Sequence, residues 1–147
     1  MKIEQLNVFI ENRTGRLAGI AEVLGDIGVN IRAISLADTA NFGILRLIVD
    51  DIEKAKQRLK ERGFTVRLTE VIAVKLKDRP GELGRLLKII EAANLNTEYI
   101  YGLSEGSKEY AVLILKCSEL DRAIEILMAH SVELLDYQQV IHSQIDP

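Results

Sequence analysis

The amino-acid sequence predicts an α+β fold in which one βαββαβ string is used twice. Three observations carry that reading: a long internal repeat, alternating strand-like and helix-like apolar spacing in each copy, and a glycine turn at the same place in both. The repeat runs from Asn12 to Ser35, NRTGRLAGIAEVLGDIGVNIRAIS, and again from Asp78 to Tyr101, DRPGELGRLLKIIEAANLNTEYIY. At a constant offset of 66, Arg13 aligns with Arg79, Gly15 with Gly81, Leu17 with Leu83, Asn30 with Asn96 and Ile34 with Ile100. After a shift of two residues, Ala55 aligns with Ala123 and Leu59 with Leu127. Repetition on this scale outranks local propensity as a guide to architecture.

Each element follows from its spacing. Ile3, Leu6, Val8 and Ile10 read as a strand whose alternation breaks between Gln5 and Leu6. Leu17, Ile20, Ala21, Leu24 and Ile27 form one helical stripe that Gly28 ends. Asn30 to Leu36 is a second strand, Asp38 to Gly43 has turn composition, and Ile44 to Val49 is a third strand. Asp50-Asp51 precedes a helix marked by Ile52, Ala55 and Leu59 and reads as its cap; Gly63 stops that helix, and Phe64, Val66 and Leu68 make a short fourth strand. The second copy repeats the order. Val71 to Leu76 is a strand, Leu83, Leu86, Leu87, Ile90 and Ala93 a helical stripe, and Asn96 to Tyr101 and Tyr110 to Leu115 are strands around the turn-like Ser104 to Lys108. Leu120, Ala123, Ile124 and Leu127 mark another helix, Leu134 and Leu135 begin the last strand, and the tail from His142 to Pro147 reads as frayed.

This is the ferredoxin-like, split βαβ order. Right-handed crossovers place both helices on one face of an antiparallel sheet in each domain. The boundary falls near Arg67 to Val71, giving domains 1–69 and 70–147 with no flexible linker. A unit of about 70 residues buries a limited core and leaves one sheet face and the sheet edges uncovered. The other copy, joined side by side into a wider sheet, is one expected cover, and a homodimer is a further one.

Composition excludes several classes. The formal charge of -3 disfavours a non-specific nucleic-acid binder, which needs a basic surface to displace counterions. The basic run Lys54, Lys56, Arg58, Lys60 and Arg62 is interleaved with Glu53 and Glu61 and reads as a solvated helix face. RNA-recognition domains share the topology but need aromatic residues on the central strands and a positive surface, and the first copy offers neither convincingly. Cys117 is the sole cysteine, so no internal disulfide forms, and nothing near it in sequence supplies a base. His130, His142 and Cys117 lack metal-ligand spacing. Gly25-x-x-Gly28 lies at a helix end and is no dinucleotide fingerprint; no nucleophile elbow or phosphate loop occurs. No stretch is long enough to span a membrane, and no leader pattern opens the chain. The expectation is a cytoplasmic protein with no cofactor, no metal and no catalysis of its own.

The chemistry that remains sits in the matched turns Asn12-Arg13-Thr14-Gly15 and Asp78-Arg79-Pro80-Gly81. Each joins the first strand of its domain to the first helix. Asn12 and Asp78 are placed to cap the helix, Pro80 suits an early helical position, and Gly15 and Gly81 permit a tight turn. The same free amides bind a carboxylate without catalytic machinery. An amino acid offers that carboxylate, Asn30 and Asn96 offer an acceptor for its ammonium group, and Arg13 and Arg79 offer a positive charge. Tyr99 and Tyr101 share a strand face, with Tyr110 on the neighbouring strand; they wall a ligand or pack against a partner, and packing is the simpler role.

The segments NRTGRLAGIAEVLGDIGVNI and DRPGELGRLLKIIEAANLN resemble the opening turn and helix of ACT domains, and nearly the whole chain resembles a tandem ACT-domain protein. The resemblance implies a regulatory module that senses amino acids or related metabolites at interfaces between domains. Its ligand turn maps onto residues 12–15 and 78–81, and its strand-start asparagine onto Asn30 and Asn96. Thr14 stands where the commoner pattern has proline. In many relatives the pair is fused to an enzyme or controls one in trans. The alternative is a protein-binding regulatory subunit of a biosynthetic enzyme that acts without a ligand.

Overall fold

The structure, a computed structural model, describes residues 1–11, 13–38, 41–103 and 108–142. The element order is β1 (Ile3–Glu11), α1 (Arg16–Asp26), β2 (Ile31–Asp38), β3 (Phe42–Val49), α2 (Ile52–Glu61), β4 (Thr65–Lys77), α3 (Glu82–Ala92), β5 (Thr97–Gly102), β6 (Tyr110–Cys117), α4 (Leu120–Ala129), β7 (Glu133–Leu135) and α5 (Tyr137–His142). The βαββαβ string therefore occurs twice, and the fold class is the expected α+β one. The chain divides into two compact units, Glu4–Thr69 and a second that joins Met1–Ile3 to Glu70 and the residues after it. Lys2 accompanies the second unit through ion pairs to Asp121 at 2.8 Å and Glu70 at 3.6 Å.

In the N-terminal unit the strands lie in the order β2-β3-β1-β4, and β3 is antiparallel to both of its neighbours β1 and β2. Leu6, Val8 and Ile10 from β1 share a face with Leu45, Leu47 and Val49 from β3, as a period of two requires. Ile20, Val23 and Leu24 of α1 and Ala55 and Leu59 of α2 pack on that face. The irregularity in β1 has a simple origin. Leu6, Val8 and Ile10 alternate without interruption, while Gln5 and Asn7 belong to the opposite face and are also buried. Their polar groups are not left bare: Gln5 Nε2 donates to Asn7 Oδ1 at 2.6 Å, and Asn7 Nδ2 donates to Thr69 Oγ1.

In the C-terminal unit the order is β7-β4-β6-β5, every pairing antiparallel. Ile72 and Val74 of β4 and Leu115 and Cys117 of β6 meet Leu86 and Ile90 of α3 and Ala123 and Leu127 of α4. Burial pushes the Cys117 thiol above its ordinary range, with the Glu98 carboxylate acting in the same direction. Native protein should consequently react with a thiol reagent at neutral pH at least ~100-fold more slowly than urea-unfolded protein, since only the thiolate attacks. Equal rates in a stopped-flow colour assay would contradict the burial.

Four sequence expectations change. β4 is one strand of 13 residues, where two short strands were expected; no glycine or proline interrupts TVRLTEVIAVKLK. β3 begins at Phe42, so Gly43 is a strand residue and not part of a turn. The last strand ends at Leu135 and α5 follows it, opened by a reciprocal cap in which Asp136 Oδ1 accepts from the Gln139 amide and Gln139 Oε1 from the Asp136 amide, both at 2.8 Å, while the tail expected to fray lies after His142 outside the described residues. Leu17 and Leu83, read as core positions of their stripes, are 40% and 44% exposed. The Asp51 cap does form, accepting from the Lys54 amide at 3.2 Å.

Candidate functional site

The two glycine turns have the same internal geometry. The Arg13 amide donates to Glu11 O at 2.8 Å and the Arg79 amide to Lys77 O at 3.0 Å. The Arg16 amide then reaches Arg13 O at 3.3 Å, and the Glu82 amide reaches Arg79 O at 3.4 Å. Gly15 and Gly81 follow in the left-handed region, with φ of 88° and 92°, and are the N-caps of α1 and α3. Glycine reaches that conformation without a Cβ penalty, which accounts for its presence in both copies.

This arrangement corrects the expected caps. Neither glycine offers a side chain to the helix, and Asp78 makes no cap; the Asp78 amide instead donates to Glu109 O at 2.8 Å. Pro80 lies in the turn one residue before the cap, not at an early helical position, because α3 starts at Glu82. Asn12 lies outside the described residues. The first intrahelical bonds are Gly19 to Gly15 O and Arg85 to Gly81 O. Among the described residues, the amides of Leu17 and Ala18 in α1 and of Leu83 and Gly84 in α3 have no hydrogen-bond partner. Each turn thus presents free N-H groups at the positive end of a helix.

A cleft adjoins each turn. In the N-terminal unit it measures about 170 Å³ and is lined by Ile10, Glu11, Arg13, Leu17, Leu36, Asp38 and Gly43. In the C-terminal unit it measures about 360 Å³ and is lined by Lys77, Asp78, Arg79, Glu109 and Tyr110. Both lie where the first strand of a unit ends and its third begins. Both arginines are engaged locally, Arg13 with Glu11 at 2.8 Å and Arg79 with Glu82 at 3.1 Å. Thr14 is exposed in its turn.

The asparagines are elsewhere. Asn30 and Asn96 precede β2 and β5, where their backbones are fixed in matching ways. The Asn30 amide donates to Asp50 Oδ1 at 2.9 Å, and the Asn96 amide donates to Ser118 Oγ at 3.2 Å. Each helix runs away from its turn before the chain reaches the asparagine, and 11 helical residues span about 16 Å. Within one unit, then, the structure brings together the turn and its cleft but not the turn and the asparagine.

Sequence reasoning missed Leu36, Asp38 and Gly43 as cleft residues. Gly43 carried the usable signal, since an isolated glycine in an apolar strand marks a close approach. Tyr99 and Tyr101 stack at 6.5 Å between centroids, and Lys75 Nζ sits 4.4 Å from the Tyr110 ring centroid. Among the described residues no group of three or more His, Cys, Asp or Glu side chains could hold a metal ion. Among the described residues no helix is long and apolar enough to cross a membrane.

Comparison with known proteins identifies the fold and the family. A protein of Bacteroides thetaiotaomicron with a solved structure is 34% identical, with a TM-score of 0.90 over 97% of each chain. The regulatory subunit of aspartate kinase from Thermus thermophilus is 16% identical, with a TM-score of 0.63 over 86% of this chain and 91% of that one. The corresponding subunit from Thermus flavus is 15% identical, with a TM-score of 0.60 over 86% and 90%. The two kinase subunits share the fold alone. No protein with curated annotation matches. The family described as the ACT domain pair matches residues 1–143, and the chain belongs to that family.

Proposed function

We propose that this chain is a regulatory protein that binds an amino acid or a related small metabolite and has no catalysis of its own. The observation that carries the reading is the pair of glycine turns, each leaving helix amides unpartnered and each bordered by a cleft. Such amides suit a carboxylate, and their positive helix end favours its charge. Arg13 and Arg79 border the clefts and add positive charge beside the same amides. Membership of the ACT family and the likeness to a regulatory subunit of aspartate kinase support a regulatory role for the site.

Since Asn30 stands about one helix length, ~16 Å, from its own turn, an asparagine that meets the ligand's ammonium group lies outside that unit, and a second copy of the chain is the source we propose. The exposed edge of the N-terminal unit suits such a copy: β2 ends the strand order, and Ile34 and Leu36 on it are 47% and 49% exposed. The working form is accordingly a homodimer, acting in the cytoplasm. The same edge also supports the second reading, a subunit that docks on a biosynthetic enzyme without any ligand.

Calorimetry of the full chain against the twenty amino acids tests the proposal. Saturable binding to one or a few is expected. A Gly15→Asp variant should weaken it by about tenfold or more, because a fixed carboxylate then competes at the helix start. Asp tolerates the left-handed conformation, so the fold should survive. If no amino acid or related metabolite binds, the ligand reading fails.

A further inference from the structure

Resting on that reading, we infer that the two copies have diverged: the turn of the Glu4–Thr69 unit takes an amino acid with a branched aliphatic side chain, and the turn of the other unit does not.

The walls of the two clefts differ in kind. In the N-terminal unit Ile10, Leu17 and Leu36 are aliphatic, and Ile10 and Leu36 close directly over Gly43. A Cβ placed on Gly43 would lie 3.2 Å from Ile10 Cγ1 and 3.3 Å from Leu36 Cδ1. The strand registers identify the counterparts. Ile10 pairs with Gly43 as Leu76 pairs with Ala111, and Leu36 pairs with Leu45 as Gly102 pairs with Leu113. The second unit therefore has a methyl group where the first has none, and no side chain where the first has leucine. Its cleft is lined by charged groups and a tyrosine.

The helix ends differ as well. The first turn of α1 contains no acidic residue, so its amides keep their field for an incoming carboxylate. The first turn of α3 contains Glu82, whose side chain is only 15% exposed and holds Arg79. Arg13 is held by Glu11 in the same way, but Glu11 belongs to β1 and not to the first turn of the helix, so the difference lies in the acidic residue within α3 itself. At the rim of the N-terminal cleft, Asp38 offers an acceptor for an ammonium group. The volume of about 170 Å³ compares with the ~150 Å³ apolar cavity that accommodates benzene. A four-carbon branched side chain fits such a space.

The experiment is calorimetry of the full chain with L-leucine, L-aspartate and L-lysine. One leucine per chain is expected, bound at least ~10-fold more tightly than either charged amino acid. Gly43→Val, whose side chain would displace Ile10 and Leu36 from their places in the wall, should weaken leucine by about tenfold or more. Leu36→Ala alters a half-exposed residue that the fold does not depend on, and it should weaken leucine likewise. Preference for aspartate or lysine, two equal sites per chain, or leucine binding untouched by both variants would overturn the divergence while leaving an amino-acid sensor standing. Failure of every amino acid to bind would remove the sensor reading together with it.

Discussion

Ile90→Ala should destabilise the protein by about 3 kcal/mol, and Leu24→Ala by a similar amount, whereas Leu83→Ala should cost less than about 1 kcal/mol. Ile90 and Leu24 occupy matching positions of the repeat, and each is 1% exposed. Each points from the first helix of its unit onto the sheet, among the strand residues of its own core cluster. Truncation removes buried methyl groups and leaves a cavity that close-packed neighbours refill only in part. Leu83 lies two helical turns before Ile90 but at 44% exposure, so little burial is lost with it. Urea denaturation followed by circular dichroism gives the midpoints. Equal destabilisation by Leu83→Ala and Ile90→Ala would show that the face assigned to solvent is a core face.

That contrast also marks how far the sequence could be read. Periodicity located the helices because Ile20, Leu24, Leu86 and Ile90 recur on one stripe, and it located the strands because Leu6, Val8 and Ile10 alternate. It could not tell that Leu17 and Leu83 sit at the margin of their stripes, since width of burial depends on where the sheet ends beneath the helix. The turns were legible because glycine at Gly15 and Gly81 has one economical use, a left-handed N-cap. Their surroundings were not. Leu36 and Gly43 become neighbours of the turn only through the register of β2 on β3 and of β3 on β1, a long-range quantity that no local pattern encodes. The separation of Asn30 from Gly15 likewise follows from the direction of α1, although the two look like partners in the repeat. The helix α5 was announced by Asp136-x-x-Gln139, a reciprocal cap, and a short apolar content concealed it.

Opposite signs are expected for two glycine-to-alanine changes in one helix. Gly15→Ala should destabilise the N-terminal unit by about 1–2 kcal/mol, the cost of holding an L residue in the left-handed region. Gly25→Ala should stabilise it by roughly 0.5–1 kcal/mol, because glycine inside a helix loses more backbone freedom on folding than alanine. Neither change meets a steric obstacle, since no atom lies within 4 Å of a Cβ built at either position. The difference is therefore conformational: Gly15 has a φ of 88°, while Gly25 is an ordinary residue of α1. The side chain put on Gly15 sets the size of the loss. Asparagine, which visits the left-handed region readily, should cost less than alanine, and valine, stiff at its branched Cβ, should cost more, up to ~3 kcal/mol. The order Gly, Asn, Ala, Val in thermal midpoint, measured by calorimetry without ligand, tests the backbone assignment separately from any binding. If valine is tolerated as well as asparagine, the turn does not hold its left-handed residue in solution, and the free amides of Leu17 and Ala18 are not fixed in the direction that recognition of a carboxylate requires.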